Sequence, residues 1–174
     1  MIVSDPLFGF AAAADATAVA ALVERAYRGP AAERSWTNEF GILSGPRSSL
    51  AEVEKLIGDP GSRFVVASRD RQLIGCALLQ RYHHGAYFSM FAIDPDAQGG
   101  GLGKAVVARC ETAARELWSA RFLRLTVISL REELIAWYER RGFVRTGERE
   151  PFPFGAFSGA LRTDFDLVVL EKPL

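Results

Sequence analysis

The chain has 174 residues, 49% hydrophobic and 24% charged, which suits one domain spanning the chain with a substantial core. Its 21 basic and 21 acidic side chains cancel, so no charge excess argues for nucleic acid or an anionic membrane as partner. Two cysteines, Cys76 and Cys110, are too few for a disulfide framework and read as small core residues of a cytoplasmic protein.

Residues 7–13 read as a first strand. Asp15 then stands as a helix N-cap before Ala18, Val19, Leu22, Val23 and Ala26 at helical spacing, ended near Gly29-Pro30. The alanine-rich stretch 11–22 has no basic leader and is too short to span a bilayer. Residues 31–45 show no period. Ser49 and Glu52 match a capping box for a second helix, with Leu50, Val53, Leu56 and Ile57 on one face. A meander of three strands follows, with turns at residues 69–71 and 83–85. After a glycine segment, Leu102, Val106, Cys110, Ala113 and Leu117 mark an amphipathic helix, with Glu111 and Arg115 as an outward pair. Residues 122–128 form a strand, and Leu134, Trp137 and Tyr138 a helix closed by Gly142. Two more strands, 144–148 and 165–170, flank a loop rich in Phe, Pro and Gly. The order β-α-α-β-β-β-α-β-α-β-β is mixed α/β with no natural split into two domains.

The segment "DPDAQGGGLGKAV", residues 94–106, puts four glycines where a strand hands over to a helix. It is not a P-loop, because Gln98 and Ala105 stand where Gly and Ser/Thr are needed. It is not a dinucleotide fingerprint either, because Lys104 or Val106 stands at the last glycine. A helix N-terminus still offers unpaired N–H groups and partial positive charge, and glycines let an anion approach them. A tight turn with no ligand is the competing explanation. No Cys/His cluster has metal-ligand spacing.

Gln98-Gly99-Gly100-Gly101-Leu102-Gly103 matches Q/R-x-x-G-x-G/A after an apolar strand, and Trp137-Tyr138-Glu139-Arg140-Arg141-Gly142-Phe143 follows beyond another strand. With these two motifs in this order the chain resembles the GCN5-related N-acetyltransferase (GNAT) superfamily. The resemblance implies a mixed, mostly antiparallel central sheet with helices on both faces. It also implies a bulged fourth strand splayed from the fifth to admit the pantetheine of acetyl-CoA. Phe91, Ala92 and Ile93 would then offer main-chain groups to pantetheine. Backbone amides of Gln98, Gly99, Gly100, Gly101, Leu102, Gly103 and Lys104 would hold the pyrophosphate. The Lys104 side chain would add a phosphate contact or lie in solvent. Tyr138 would lie near the cofactor sulfur and protonate the departing thiolate, against the simpler role of a core aromatic. Arg131 stands where many members carry Asn, leaving it a phosphate contact or a place in water.

The acceptor's amine must lose a proton. Glu39, in the irregular segment, and Glu148, after the Tyr138 helix, are the two carboxylate candidates, each equally readable as a surface group. Ser89 on the fourth strand could orient a water. Trp36, Thr37, Phe152, Phe154 and Phe157 are expected around the acceptor, unless the "REPFPFGAF" loop is a buried plug. The resemblance thus implies acetyl transfer to the primary amine of a small or amino-acid-like acceptor, without a metal. A longer acyl group or an oxygen acceptor is a variant of that reading. A non-catalytic acyl-CoA sensor would need the same cradle but neither Tyr138 nor a base. The family also admits a homodimer, which no segment of the sequence establishes.

Overall fold

Period-two strands and 3.6-residue helices resolve into seven strands and four α-helices among the residues that the computed structural model describes, 4–36 and 38–174. They run β1 (Leu7–Phe10), α1 (Ala16–Tyr27), α2 (Leu50–Gly58), β2 (Ser62–Arg69), β3 (Gln72–Tyr82), β4 (Gly85–Ile93), α3 (Leu102–Trp118), β5 (Phe122–Ile128), α4 (Glu132–Glu139), β6 (Val144–Glu150) and β7 (Leu167–Pro173). This is the expected order. The sheet runs β1-β2-β3-β4-β5-β7-β6, and every neighbouring pair is antiparallel except β4–β5.

Local chemistry explains most of the boundaries. Asp70 and Arg71 join β2 to β3 at φ 49° and 66°, the positive pair that a two-residue hairpin turn requires. Ser49 Oγ accepts the Glu52 amide at 3.1 Å and starts α2. Asp15 stands at the N-cap position of α1, as predicted, but its side chain does not bond the first turn of that helix. Its carboxylate reaches back to the Ala12 amide at 2.8 Å and closes a short 3-10 turn ahead of the helix. Nor does Glu111 pair with Arg115. It turns inward to Lys172 on β7, at 2.5 Å.

The sheet is covered on both faces. α1 and α2 pack on Phe64, Val66, Cys76, Leu78, Met90 and Ala92. α3 packs on the alternate residues, Val65, Ala67, Ala77 and Leu79, and α4 adds Ile135 and Tyr138 to the same cluster. On β4 this alternation breaks. Ala86 and Phe88 face α3, Met90 faces α1, and then Phe91 and Ile93 face α3 again. Met90 sits at φ 45°, and the register with β3 slips between Leu78↔Ser89 and Cys76↔Ala92. One extra residue has entered β4, a bulge that reverses which faces its side chains take.

Burial raises the pKa of several groups in one direction: the Cys76 thiol up to about 12, and Cys110, Tyr27, Tyr87 and Tyr138 above their ordinary values. The folded chain keeps protons that the unfolded chain releases near pH 8.5 (thiols) and about pH 10 (phenols). The stability these groups confer is therefore complete below those values and lost as pH rises through them. Calorimetric Tm should hold level to about pH 8 and fall steeply by about pH 10.5. A flat profile would contradict this.

Candidate active site

β4 and β5 are hydrogen-bonded only at Ala86↔Leu123 and Tyr87↔Arg124. Beyond the bulge they diverge, and β5 continues its ladder only with β7. Tyr87 Oη and Thr126 Oγ1, 2.8 Å apart, bridge the strands where the wedge opens. A cavity of about 350 Å³ occupies it. Its walls come from residues 87–91 of β4, 125–128 of β5, and Arg131, Leu134 and Tyr138 of the α4 region. Tyr27 and Arg28 at the end of α1, then Glu39, Leu43 and Arg47, close a second side, and Phe152, Pro153, Phe157 and Leu167 a third.

Tyr138 is only 5% exposed, with its ring against Phe88, Phe91, Trp137 and Phe143. Burial pushes its phenol well above the ordinary value, so it is a neutral hydrogen-bond donor throughout the neutral range. Glu39 is the cavity's carboxylate. Its Oε2 accepts from Arg28 Nη1 at 2.6 Å, and both side chains are largely buried. Ser89 also lines the wall.

Glu148, the other carboxylate proposed from the sequence, lies outside this cavity. It projects from the edge strand β6, its side chain 60% exposed, and meets Arg124 at 2.5 Å beside Glu150 and Glu171. The hydrogen bond from Arg124 holds its carboxyl below the usual glutamate range, which suits an ion pair rather than a base. Phe152 and Phe157 reach the cavity, whereas Phe154 packs behind them on Phe152 and Phe165. Thr37 lies outside the described residues. Trp36 is displaced from the expected acceptor side. It stacks on Trp137 with ring centres 4.5 Å apart and meets the edge of Phe91.

The glycine segment is open at its tip. Gly99 and Gly101 take φ 89° and 79°, and a Cβ built on Gly99, Gly100 or Gly101 meets no atom within 4 Å. α3 is 17 residues long and no side chain caps its start. Its first intrahelical bond is Ala105 N to Gly101 O, so the amides of Leu102, Gly103 and Lys104 have no partner within the helix. Lys104 is exposed. Gly103 plays a different part: a Cβ there would come within 3.4 Å of Trp36, Trp137 and Phe91. Gln98 acts through its side chain, donating to Ser35 Oγ and the Ile93 carbonyl. The Phe91 carbonyl accepts from Tyr27 Oη at 2.7 Å, and Ala92 pairs with Cys76 on β3. The Phe91 and Ile93 carbonyls expected to face pantetheine are thus already engaged, each keeping a second lone pair. An unobstructed helix N-terminus beside an unzipped strand pair fits the pyrophosphate and pantetheine of acetyl-CoA.

Arg131 does not turn toward that N-terminus. Its guanidinium donates to the carbonyls of Trp36 and Asn38 and to Glu133. It fastens the irregular segment to the start of α4. Arg28, Arg47 and Tyr27 were not singled out from the sequence. An arginine at a helix end and one in a Gly-Pro loop carry no periodic signal that separates them from solvated residues.

A bulged strand, a wedge holding a buried tyrosine, and a glycine-lipped helix end are together the layout of an acetyltransferase. A family model described as the acetyltransferase (GNAT) family matches residues 30–143, and the chain belongs to that family. A protein of Azospirillum brasilense named IAA acetyltransferase is 29% identical over 120 residues, covering 68% of this chain and 72% of its own length. The ribosomal-protein-alanine N-acetyltransferase of Brucella melitensis superposes with TM-score 0.72 at 22% identity, over 97% of this chain and 99% of its own. Spermidine N-acetyltransferase of Vibrio cholerae, in complex with CoA and spermine, gives TM-score 0.69 at 20% identity over 97% and 95%. At these identities the structural likeness is one of fold. Among the described residues no group of three or more His, Cys, Asp or Glu could hold a metal ion, and no helix is long and apolar enough to cross a membrane.

Proposed function

We propose that this chain is an acetyl-CoA-dependent N-acetyltransferase acting on the primary amine of a small or amino-acid-like acceptor. The observation that carries the reading is the wedge cavity, which brings Tyr138 and Glu39 to one space between β4 and β5. Bound acetyl-CoA would supply a thioester, whose acetyl carbon is the electrophile. Backbone amides of residues 99–104 would hold its pyrophosphate, and the main chain of β4 would line its pantetheine arm. Glu39, directly or through a water held by Ser89, would take the ammonium proton. The freed amine then forms the N–C bond as the C–S bond breaks. Tyr138 would donate to the departing thiolate, whose charge is costly in so dry a site. The proton shed by the newly acylated nitrogen would return to the Tyr138 phenolate, giving an N-acetyl amine and CoA thiol.

The test is calorimetric titration of acetyl-CoA, then a panel of primary amines with free thiol measured. Micromolar binding and thiol release with some amines are expected. Binding with no thiol release across the panel would assign the chain a sensor role instead. No binding at all would remove the reading.

A further inference from the structure

The cavity wall carries three arginines, Arg28, Arg47 and Arg131, against one carboxylate, Glu39. Two of the three charges are largely spent. Arg131 is committed to two carbonyls and Glu133. Arg28 gives Nη1 to Glu39 and Nε to the Gly45 carbonyl at 2.8 Å. Its Nη2 is left buried with no hydrogen-bond partner, on a side chain only 9% exposed. A buried guanidinium N–H without an acceptor is costly, and proteins seldom leave one without a reason. Arg47 lies over the Tyr27 ring, 5.0 Å from its centre; Glu24 accepts its backbone amide at 2.8 Å, and no carboxylate among the described residues forms an ion pair with its guanidinium. Much of the remaining lining is apolar, with Leu43, Leu134, Phe152, Phe157 and Leu167.

This pattern suits neither a polycation nor a neutral amine. A polycation would meet an excess of positive charge with one carboxylate already engaged. A neutral amine would leave Arg28 Nη2 unanswered. A zwitterion answers both signs: its carboxylate can take Arg28 Nη2 and the free Arg47 guanidinium, while its ammonium lies toward Glu39. The volume sits at the small end of ligand pockets. Resting on the transferase reading above, we propose that the acceptor is a free α-amino acid with a large apolar side chain. Its carboxylate is held by Arg28 and Arg47, and its side chain lies against Phe152 and Phe157.

The test compares L-phenylalanine, 2-phenylethylamine (the same amine and ring without the carboxylate) and spermidine, at saturating acetyl-CoA, by thiol release. Phenylalanine should exceed phenylethylamine in kcat/KM by about a hundredfold or more, because a site built to pair a charge rejects the analogue lacking it. Arg47→Gln should cut that ratio at least about tenfold, chiefly through KM for phenylalanine. Arg47 is chosen because Arg28 also anchors Glu39 and Gly45, so an Arg28 variant could disturb the loop itself. Calorimetric binding of N-acetyl-L-phenylalanine, against N-acetyl-2-phenylethylamine, gives a readout that needs no turnover. Equal use of phenylalanine and phenylethylamine, or preference for spermidine, overturns the proposal and leaves the transferase reading standing. No turnover with any amine, but Arg47-dependent binding of N-acetylphenylalanine, supports the carboxylate site and sinks the transferase reading. Neither turnover nor binding removes both.

Discussion

Gly101→Glu should weaken acetyl-CoA binding at least about a hundredfold, a loss of about 2.7 kcal/mol. Gly101 is the N-cap of α3 at φ 79°, and a Cβ there meets nothing within 4 Å. The new side chain therefore enters open space and displaces no core atom. Its carboxylate can turn onto the unpartnered amides of the first turn, where helix dipole and N–H groups favour an anion. It would occupy the proposed pyrophosphate site with charge of the same sign. The backbone cost of a non-glycine residue in the left-handed region, about 1 kcal/mol, lowers Tm but does not touch the cradle. Gly101→Asn, which tolerates that conformation better and adds no charge, separates the two effects. Calorimetric titration of both variants checks this. A Glu variant that binds acetyl-CoA like the parent would leave the glycines only their turn.

Tyr138→Phe should lower kcat by about 100-fold, within the range for loss of a positioned proton donor, and shift the Kd for acetyl-CoA by no more than about threefold. The four surrounding rings still find a ring to pack on, so the substitution removes one oxygen and little volume. The pH profile sharpens the expectation. Burial raises the Tyr138 phenol, so it stays protonated below the ordinary phenol value. No loss of kcat from its ionisation belongs below about pH 10, and the rising limb from deprotonation of the amine should survive in the variant. Stopped-flow thiol release with a competent amine gives both numbers. Unchanged kcat would return Tyr138 to the role of a core aromatic.

What could be read from the residues was whatever spacing encodes. The element order followed from periodicity and turn chemistry, and the glycine segment from its place between β4 and α3. The bulge was implied by the family resemblance alone and not by periodicity, because every residue from Met90 to Ile93 is apolar and buried, and such a run has no alternation to break. Segments without a period hid their destinations. Trp36, Phe154 and Phe157 come from irregular stretches, and only Phe157 reaches the cavity. Glu148 was misplaced for another reason. Its partner Arg124 lies on β5, far away in sequence, so the ion pair appears only once β5, β7 and β6 are side by side. Arg131 stood at a motif position and was expected at a cofactor phosphate or in water. Its chemistry goes instead to backbone carbonyls of a segment without regular structure.

The stacked indoles of Trp36 and Trp137 have an optical consequence. The chain has three tryptophans, and two of them overlap face to face at 4.5 Å beside Gly103, with Phe91 at their edge. Transition dipoles that close couple, so the pair contributes a chiral, split band in circular dichroism that an isolated indole lacks. Trp36 hangs on a segment held by Arg131, whereas Trp137 is fixed in α4. The protein thus carries an intrinsic, label-free signal for events around this indole pair, one edge of which touches the Tyr138 ring.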